Sequence, residues 1–510
     1  MKKRYFTNVI WTWAAVGINM VLAFVLAPYV IHRIGESDYG AWMLALTLVE
    51  YYWLIDFGLR SATVKMTAEY HALGAKPGLE QLLSTSVLYS SLAGALLAAI
   101  TLLGAPFAGR LFNISHPAFP ELMMVVGVSW AIGTAFNPFS ASIEGLQRFD
   151  IFGRIWIVTN LARTAGIVAV LQLGRGILEM GLVLFVSQLL MYALTYIAYR
   201  RVVTGVRLSS RKANWPMFVR MARYGIHTFT ASVATRLMTQ SIPPLIAYML
   251  PVRYVTYYGV PVRVLDYGME GIGRVGQVTM PNASDLMARG KRDELLNLGV
   301  LANRYCLALF APITAFLGVY GFEVYSLWIQ RSFAVHSAYL LPVLLIGYTA
   351  VAGQFNSASI LFGIARHKLY ARLLIAEAVV VLAAVALVLP RWGLYGTVWV
   401  TSMCMMLSRG VAVCALTSRE LGIHPLRYAG RIYGSPLAGC AASIAWLWLL
   451  RSQWLPGRNW GELIAAGVLM LAVYGPLSWR FSVAAEHRNA ILAWGRRVLS
   501  GSAGQIHPRA

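Results

Sequence analysis

Fourteen times along its 510 residues the chain runs for roughly 20 positions with few charges or none, the length of helix that crosses a hydrocarbon core. The runs fall at about 6–32, 40–57, 82–105, 121–143, 154–173, 178–199, 224–250, 256–281, 300–320, 337–362, 372–390, 394–416, 432–450 and 462–479. Inside lipid every backbone N–H and C=O must be paired within the chain, and only a helix or a closed barrel does this. Runs of this length, rather than alternating ten-residue segments, select helices. The expectation is an all-α polytopic membrane protein with about 14 transmembrane helices.

Composition narrows the choice further. Charged residues are 12% of the chain and apolar ones 58%, against about 25% charged in soluble domains. A soluble enzyme, a single-span anchor and a disordered tail are excluded. The net charge of +23 has an explanation in topology. An even number of spans returns both ends to one side. With the first residues placed in the cytoplasm, 29 Lys and Arg fall in cytoplasmic segments and 8 in the opposite loops, the bias that orients membrane helices. Both termini are therefore expected in the cytoplasm, and the basic excess calls for no nucleic-acid partner. Met1-Lys2-Lys3-Arg4 followed by an apolar run resembles a signal peptide. The run continues from Tyr5 to about His32, long enough to span, and reads as a first helix that stays attached.

A repeat gives the domain organisation. Gly145-Leu-Gln-Arg148 with Arg154, and Gly363-Ile-Ala-Arg366 with Arg372, share the pattern G-x-x-R-x5-R at an offset of 218 residues. The same offset carries Phe6 to Tyr224, the starts of the first and seventh spans. Six spans per half give the halves one orientation, a parallel repeat known among transporters. The expected layout is an N-terminal six-helix lobe over 1–200 and a basic amphipathic cytoplasmic linker over 201–223. A C-terminal six-helix lobe over 224–418 follows, then two additional transmembrane helices over 419–480 and a cytoplasmic amphipathic tail over 481–510. The lobes are expected to enclose a central cavity. Linker and tail join Arg residues to apolar ones, as segments lying on an anionic leaflet do.

Charges at membrane depth are costly and point to function. Span eight carries Arg263, Asp266, Glu270 and Arg274, which at 100° per residue fall within an arc of about 80°. Two readings stand: a network of salt bridges between helices, and a cavity wall that touches a charged substrate. Arg236 lies mid-span beside Gln240 and Pro243-Pro244. Arg163, Arg304 and Arg409 are further intramembrane cations; Glu50, Asp56 and Glu377 are intramembrane acids, and Glu144 sits at the end of span four. Arginine suits phosphate through its planar donor fork. The expected cavity set is Arg236, Arg263, Arg274, Asp266, Glu270, Arg304 and Arg163.

Signals for catalysis are missing. No G-x-x-x-x-G-K-[ST] loop, no zinc-spaced His/Cys cluster and no long loop for an active site are found. The four cysteines lie in apolar runs and read as buried small hydrophobes. No enzyme, cofactor or metal is expected.

The stretch Gly35-Glu-Ser-Asp-Tyr39-Gly40, then Asp56-Phe-Gly58-Leu59-Arg60-Ser-Ala62, resembles the N-terminal signature of polysaccharide exporters of the Wzx type, in the multidrug/oligosaccharidyl-lipid/polysaccharide exporter superfamily. The resemblance implies a flippase of the bacterial inner membrane. It would take an undecaprenyl-diphosphate-linked oligosaccharide from the inner to the outer leaflet by alternating access, for a surface polysaccharide such as O-antigen. Lipid-linked oligosaccharide and bilayer are the implied partners, with a polysaccharide polymerase as a further one. The resemblance also implies a gate or coupling role for Asp56 and a charge at the cytoplasmic mouth for Arg60; Glu50, in the same span, joins them as a gate candidate on its depth. Two alternatives remain: a drug or cation exporter of the same fold, marked by an acidic cavity, and a membrane enzyme acting on lipid-linked sugars, marked by a long outer loop with paired charges.

Overall fold

The computed structural model describes residues 2–499; the side chains of 2–10, 12–16, 227, 228, 230–232, 234, 235, 237–239, 274–278, 367 and 494–499 lie outside that description. Every regular element among the described residues is helical. The chain divides into two compact units, 1–259 with 386–394, and 260–385 with 395–510.

The first unit begins with α1 (Lys2–Glu50) and a 3₁₀ turn (Tyr51–Asp56), followed by α2 (Leu59–Ala72), α3 (Lys76–Leu111), α4 (Phe119–Gly145), α5 (Phe149–Gln172) and α6 (Ile177–Val202). A linker with a 3₁₀ turn leads to α7 (Trp215–Gln240) and α8 (Ile242–Met249). α9 (Arg253–Ala288) starts in the first unit and continues into the second. There follow α10 (Arg292–Trp328), α11 (Arg331–Ser337), α12 (Leu341–Ala352), α13 (Ser357–Gly363) and α14 (His367–Met405). A π-helical stretch (Met406–Val413), α15 (Cys414–Glu420), α16 (Pro425–Gln453), α17 (Trp460–Phe481) and α18 (Ala485–Leu499) complete the chain.

Ten helices among the described residues are long and apolar enough to cross a membrane. The difference from fourteen is instructive. Expected spans one and two are a single element bent at Gly35, whose φ of 85° suits only a residue without Cβ. Spans eleven and twelve are likewise one element, bent at Gly393. Spans seven and eight are helical; both include side chains outside the description, and neither is among the ten found in the described residues. Span seven is also divided: α7 stops at Gln240, and Pro243 and Pro244 open α8, where a missing N–H costs nothing.

The helices turn apolar side chains outward and small polar ones inward, the pattern of helices that pack in lipid. On α3, Leu92, Leu96, Leu103 and Phe107 are exposed, while Ser86, Ser90, Gly94 and Thr101 are buried. At one end of the first unit Leu59, Met66, Leu82, Phe139 and Tyr199 form a core that Met217 and Met221 of α7 complete. The linker before α7 is tied to α3: Arg207 N donates to Glu80 Oε1 at 2.8 Å, and Lys212 pairs with the same carboxylate. In the second unit α16 and α17 pack on α10, where Tyr474 Oη donates to Ala308 O and Tyr320 Oη to Leu455 O, both at 2.7 Å. Tyr305 Oη lies 2.7 Å from His487 Nδ1 and so joins α10 to α18.

The two G-x-x-R loops share one backbone conformation. α4 ends at Gly145 with Gln147 left-handed (φ 56°), and α13 ends at Gly363 with Ala365 left-handed (φ 59°). Gln147 N donates to Glu144 O and Arg148 N to Ile143 O; Ala365 N donates to Phe362 O and Arg366 N to Leu361 O. Each bond has its partner 218 residues on, and each pair closes a helix end in the same way. The leading glycine of the motif permits a close approach: a Cβ on Gly145 would stand 2.5 Å from Val64 O, and one on Gly363 2.8 Å from Met280 O.

Gly58 is the tightest such position beside the candidate site. Its φ is 78°, and an added Cβ would meet Gly225 O at 2.4 Å. Gly58→Ala combines a left-handed alanine, about 1–2 kcal/mol, with a backbone collision. The expected result is a loss of about 2–4 kcal/mol, read as a lower melting temperature of the purified protein. A native melting curve would show that α2 and α7 have room to separate.

Candidate functional site

In the first unit the site residues gather where α1 gives way to α2. Phe57 and Gly58 are both left-handed (φ 45° and 78°), and this double turn separates the 3₁₀ segment from α2. Asp56 is buried, and its Oδ2 accepts from Arg60 N at 3.2 Å. Its carboxylate thus sits on the first turn of α2, where unpaired N–H groups and the helix dipole favour an anion. Arg60 reaches α4 and pairs with Glu144 at 2.8 Å. Arg236 of α7 stands over the Trp53 ring, 4.9 Å from its centre. Arg236, Gln240, Glu50, Tyr51, Trp53 and Leu54 line one small cleft of about 10 Å³, the space of a single water. Trp53 is stacked on Phe229 at 5.3 Å, and Tyr51 Oη lies 2.7 Å from Ser241 Oγ. Glu50 and Arg236, singled out separately in the sequence, are therefore neighbours. Arg163 is elsewhere, on α5, donating to Asn160 Oδ1 of its own helix.

In the second unit Arg263, Asp266 and Glu270 share one face of α9, as the helical spacing requires. Arg263 is exposed and lies 4.7 Å from the centre of the Tyr267 ring, one turn along α9. Asp266 Oδ1 accepts from Tyr348 Oη of α12 at 2.8 Å. Among the described residues neither Asp266 nor Glu270 makes an ion pair with Arg263; a ring and a hydroxyl take those places. Asp266 is also within electrostatic reach of Arg263, Glu270 and Arg409. Arg409 projects from the π-helical stretch and pairs with Glu377 of α14 at 3.2 Å, the Glu377 side chain being fully buried. Arg304 belongs to another contact: its Nε donates to Arg431 O of α16 at 2.6 Å. Arg274 lies outside the described residues.

The structure thus groups Glu50 with Arg236, Asp56 with Arg60 and Glu144, and Arg263 with Asp266 near Arg409. It leaves Arg163 and Arg304 apart. Trp53 and Tyr348 were missed by sequence reasoning. Trp53 carries a signal, since an aromatic ring one turn from an intramembrane acid is a natural seat for a cation. Tyr348 carries none, standing 82 positions from Asp266.

Residues 6–287 match the family described as polysaccharide biosynthesis protein. The chain belongs to that family. The match includes the whole of the Gly35–Ala62 signature and the α9 charges, in agreement with the resemblance to polysaccharide exporters of the Wzx type. A Shigella flexneri protein named for O-antigen transport is 20% identical over 402 residues, covering 76% of this chain and 92% of its own. The lipid II flippase MurJ, in an inward closed conformation, shares the fold with a TM-score of 0.71 at 13% identity, over 93% of this chain and 98% of its own. An inward-facing multidrug resistance transporter of the MATE family, MOP superfamily, gives a TM-score of 0.64 at 13% identity, covering 81% and 94%. This polysaccharide biosynthesis protein is therefore a multi-pass membrane protein with the fold of MOP-superfamily transporters.

Proposed function

We propose that the protein flips an undecaprenyl-diphosphate-linked oligosaccharide from the inner to the outer leaflet of a bacterial inner membrane, by alternating access and without chemical change to its cargo. In this reading the chain crosses fourteen times in two six-helix lobes plus two further helices, with both termini cytoplasmic. Family membership supports a role in polysaccharide assembly, the fold supports transport, and the name of the Shigella relative supports an O-antigen unit as cargo. The observation that carries the reading is Arg263. An arginine at membrane depth that rests on a ring, with no ion pair to Asp266 or Glu270, presents the edge of its donor fork. A diphosphate is the anion that needs such donors while it leaves water. Arg236 likewise stands over a ring, that of Trp53, in the other unit. Asp56 and Arg60, bound to the first turn of α2 and to α4, act as the gate: they join the turn at Phe57-Gly58 to its neighbours.

The test is transport in vesicles. Proteoliposomes of the full chain are loaded on one leaflet with a polyprenyl-diphosphate oligosaccharide and treated outside with an impermeant sugar oxidant. Labelled sugar should become accessible at least tenfold faster than in empty vesicles, and in parallel vesicles kept free of oxidant the sugar lipid should keep its mass. Movement of a cationic dye in place of the sugar lipid would reverse the assignment in favour of a drug exporter. A chemically altered sugar lipid would make the protein an enzyme.

A further inference from the structure

A second arginine cluster lies in the second unit, away from Arg263. It is a cup of about 180 Å³ at the meeting of α10, α15 and the loop between α13 and α14, more than ten times the ~10–15 Å³ a single water needs. Arg292, Arg366 and Arg419 line it, with Glu420 as its only carboxylate. Arg366 pairs with Glu420 at 3.3 Å. Neither Arg292 nor Arg419 has an ion-pair partner among the described residues. The backbone around the cup is tied into its own helix ends: Thr417 O, Ser418 O and Arg419 O accept from Leu421, Ile423 and Gly422, while Ala365 and Arg366 donate to Phe362 and Leu361. The floor is apolar, with Leu295 and Leu421 in the core beneath.

The repeat supplies an internal control. At the offset of 218, Arg366 corresponds to Arg148, and Lys368 to Asp150. In the first unit the Asp150 carboxylate grips Arg148 with two hydrogen bonds, of 2.9 and 3.1 Å. In the second unit the same position holds a lysine. The backbone of the loop is shared, but the charge at the clamp position is reversed, and Arg366 turns to Glu420 of α15 instead. The cup also lies at the edge of the apolar helices: Arg292 opens one candidate span, Arg366 separates two others, and Arg419 is the last residue but one of the second of these. Basic pockets at that depth suit phosphate headgroups, the charge meeting the rim and the chains the apolar side.

We infer that Arg292, Arg366 and Arg419 form an anion site, distinct from the transport residues, that takes a phosphate group. Two sources share this chemistry, the headgroup of an anionic phospholipid and soluble phosphate. The three guanidiniums hold the phosphate oxygens as charge-assisted hydrogen bonds, and the ligand pins the loop after α13 to the ends of α10 and α15.

The experiment uses the full-length protein in neutral detergent at fixed ionic strength. Melting is followed against added phosphatidylglycerol, phosphatidylcholine and inorganic phosphate, for the native chain, for Arg292→Gln/Arg419→Gln and for Lys368→Asp, which recreates the clamp of the first unit. Phosphatidylglycerol should raise the melting temperature more than phosphatidylcholine does, with half-saturation shifted at least tenfold upward in both variants. A control that removes two exposed cations elsewhere, Arg175→Gln/Arg331→Gln, should respond like the native chain. If inorganic phosphate alone reproduces the stabilisation, the ligand is soluble phosphate rather than lipid. An equal response to phosphatidylglycerol and to phosphate in the native chain and in both cup variants overturns the site. Anionic lipid counted by native mass spectrometry gives a second readout, and retention of the same number of lipids by both variants would count equally against it.

Discussion

Export of the lipid-linked sugar is expected to fall at least 100-fold when Arg236 or Arg263 is replaced by alanine, while the protein is still inserted in the membrane at its native level. A hydrogen bond to a charged group contributes about 1.5–3 kcal/mol, and each guanidinium offers two such bonds to a diphosphate. Losing them raises the barrier at the step where the anion leaves water, so the loss appears in the rate. Each arginine rests on a ring, Trp53 or Tyr267. Lysine keeps part of that contact but not the bidentate fork, so Arg236→Lys and Arg263→Lys should recover less than a tenth of native export. Glutamine at both positions with full export would sink the diphosphate reading. Loss of the protein from the membrane in the alanine variants would show instead that these arginines hold the fold. Membrane abundance by immunoblot and export by surface polysaccharide, measured on the same cells, separate the two.

The helices themselves were legible, because a long apolar run in lipid has one way to pair its backbone. The recurring G-x-x-R loop was legible too, and the structure gives its reason: a glycine for close approach, then a left-handed residue before the arginine. What the runs did not reveal was how they are joined. Gly35 reads as a loop between two spans, yet helix continues on either side of the bend. Pro243-Pro244 reads as a disruption within a span, yet it starts a new helix. The site was legible in part for a similar reason. Helical spacing puts Arg263, Asp266 and Glu270 on one face and Tyr267 within reach of Arg263. It says nothing of partners from other helices, such as Tyr348 on Asp266 or Glu144 on Arg60. The Met406–Val413 π-helix left no trace in the residues; its sequence, Met-Leu-Ser-Arg-Gly-Val-Ala-Val, is that of an ordinary apolar span with one arginine.

That arginine carries the second large effect. Glu377 has no exposed side-chain surface, Arg409 only 20%, and they meet at 3.2 Å across α14 and the π-helical stretch. Removing one partner of a buried pair leaves the other charge without its counterpart, at a cost of about 3–5 kcal/mol. The extra residue per turn in a π-helix is tolerated where a local contact holds it, commonly at functional sites, and Glu377 is such a contact. Glu377→Leu is therefore expected to lower membrane abundance severalfold and the melting temperature of the surviving protein. Arg409→Met should do the same, because it leaves the Glu377 carboxylate buried alone. Replacing both, Glu377→Leu with Arg409→Met, removes the two desolvation terms together and should restore stability to near native. Export then separates two roles for the pair. A restored double variant that exports normally makes the pair a packing device. A restored double variant that does not export makes Arg409, which lies within electrostatic reach of Asp266, a third arginine on the substrate path. If Glu377→Leu alone melts like the native protein, the pair contributes nothing to the fold, and the π-helical stretch is held by its apolar packing.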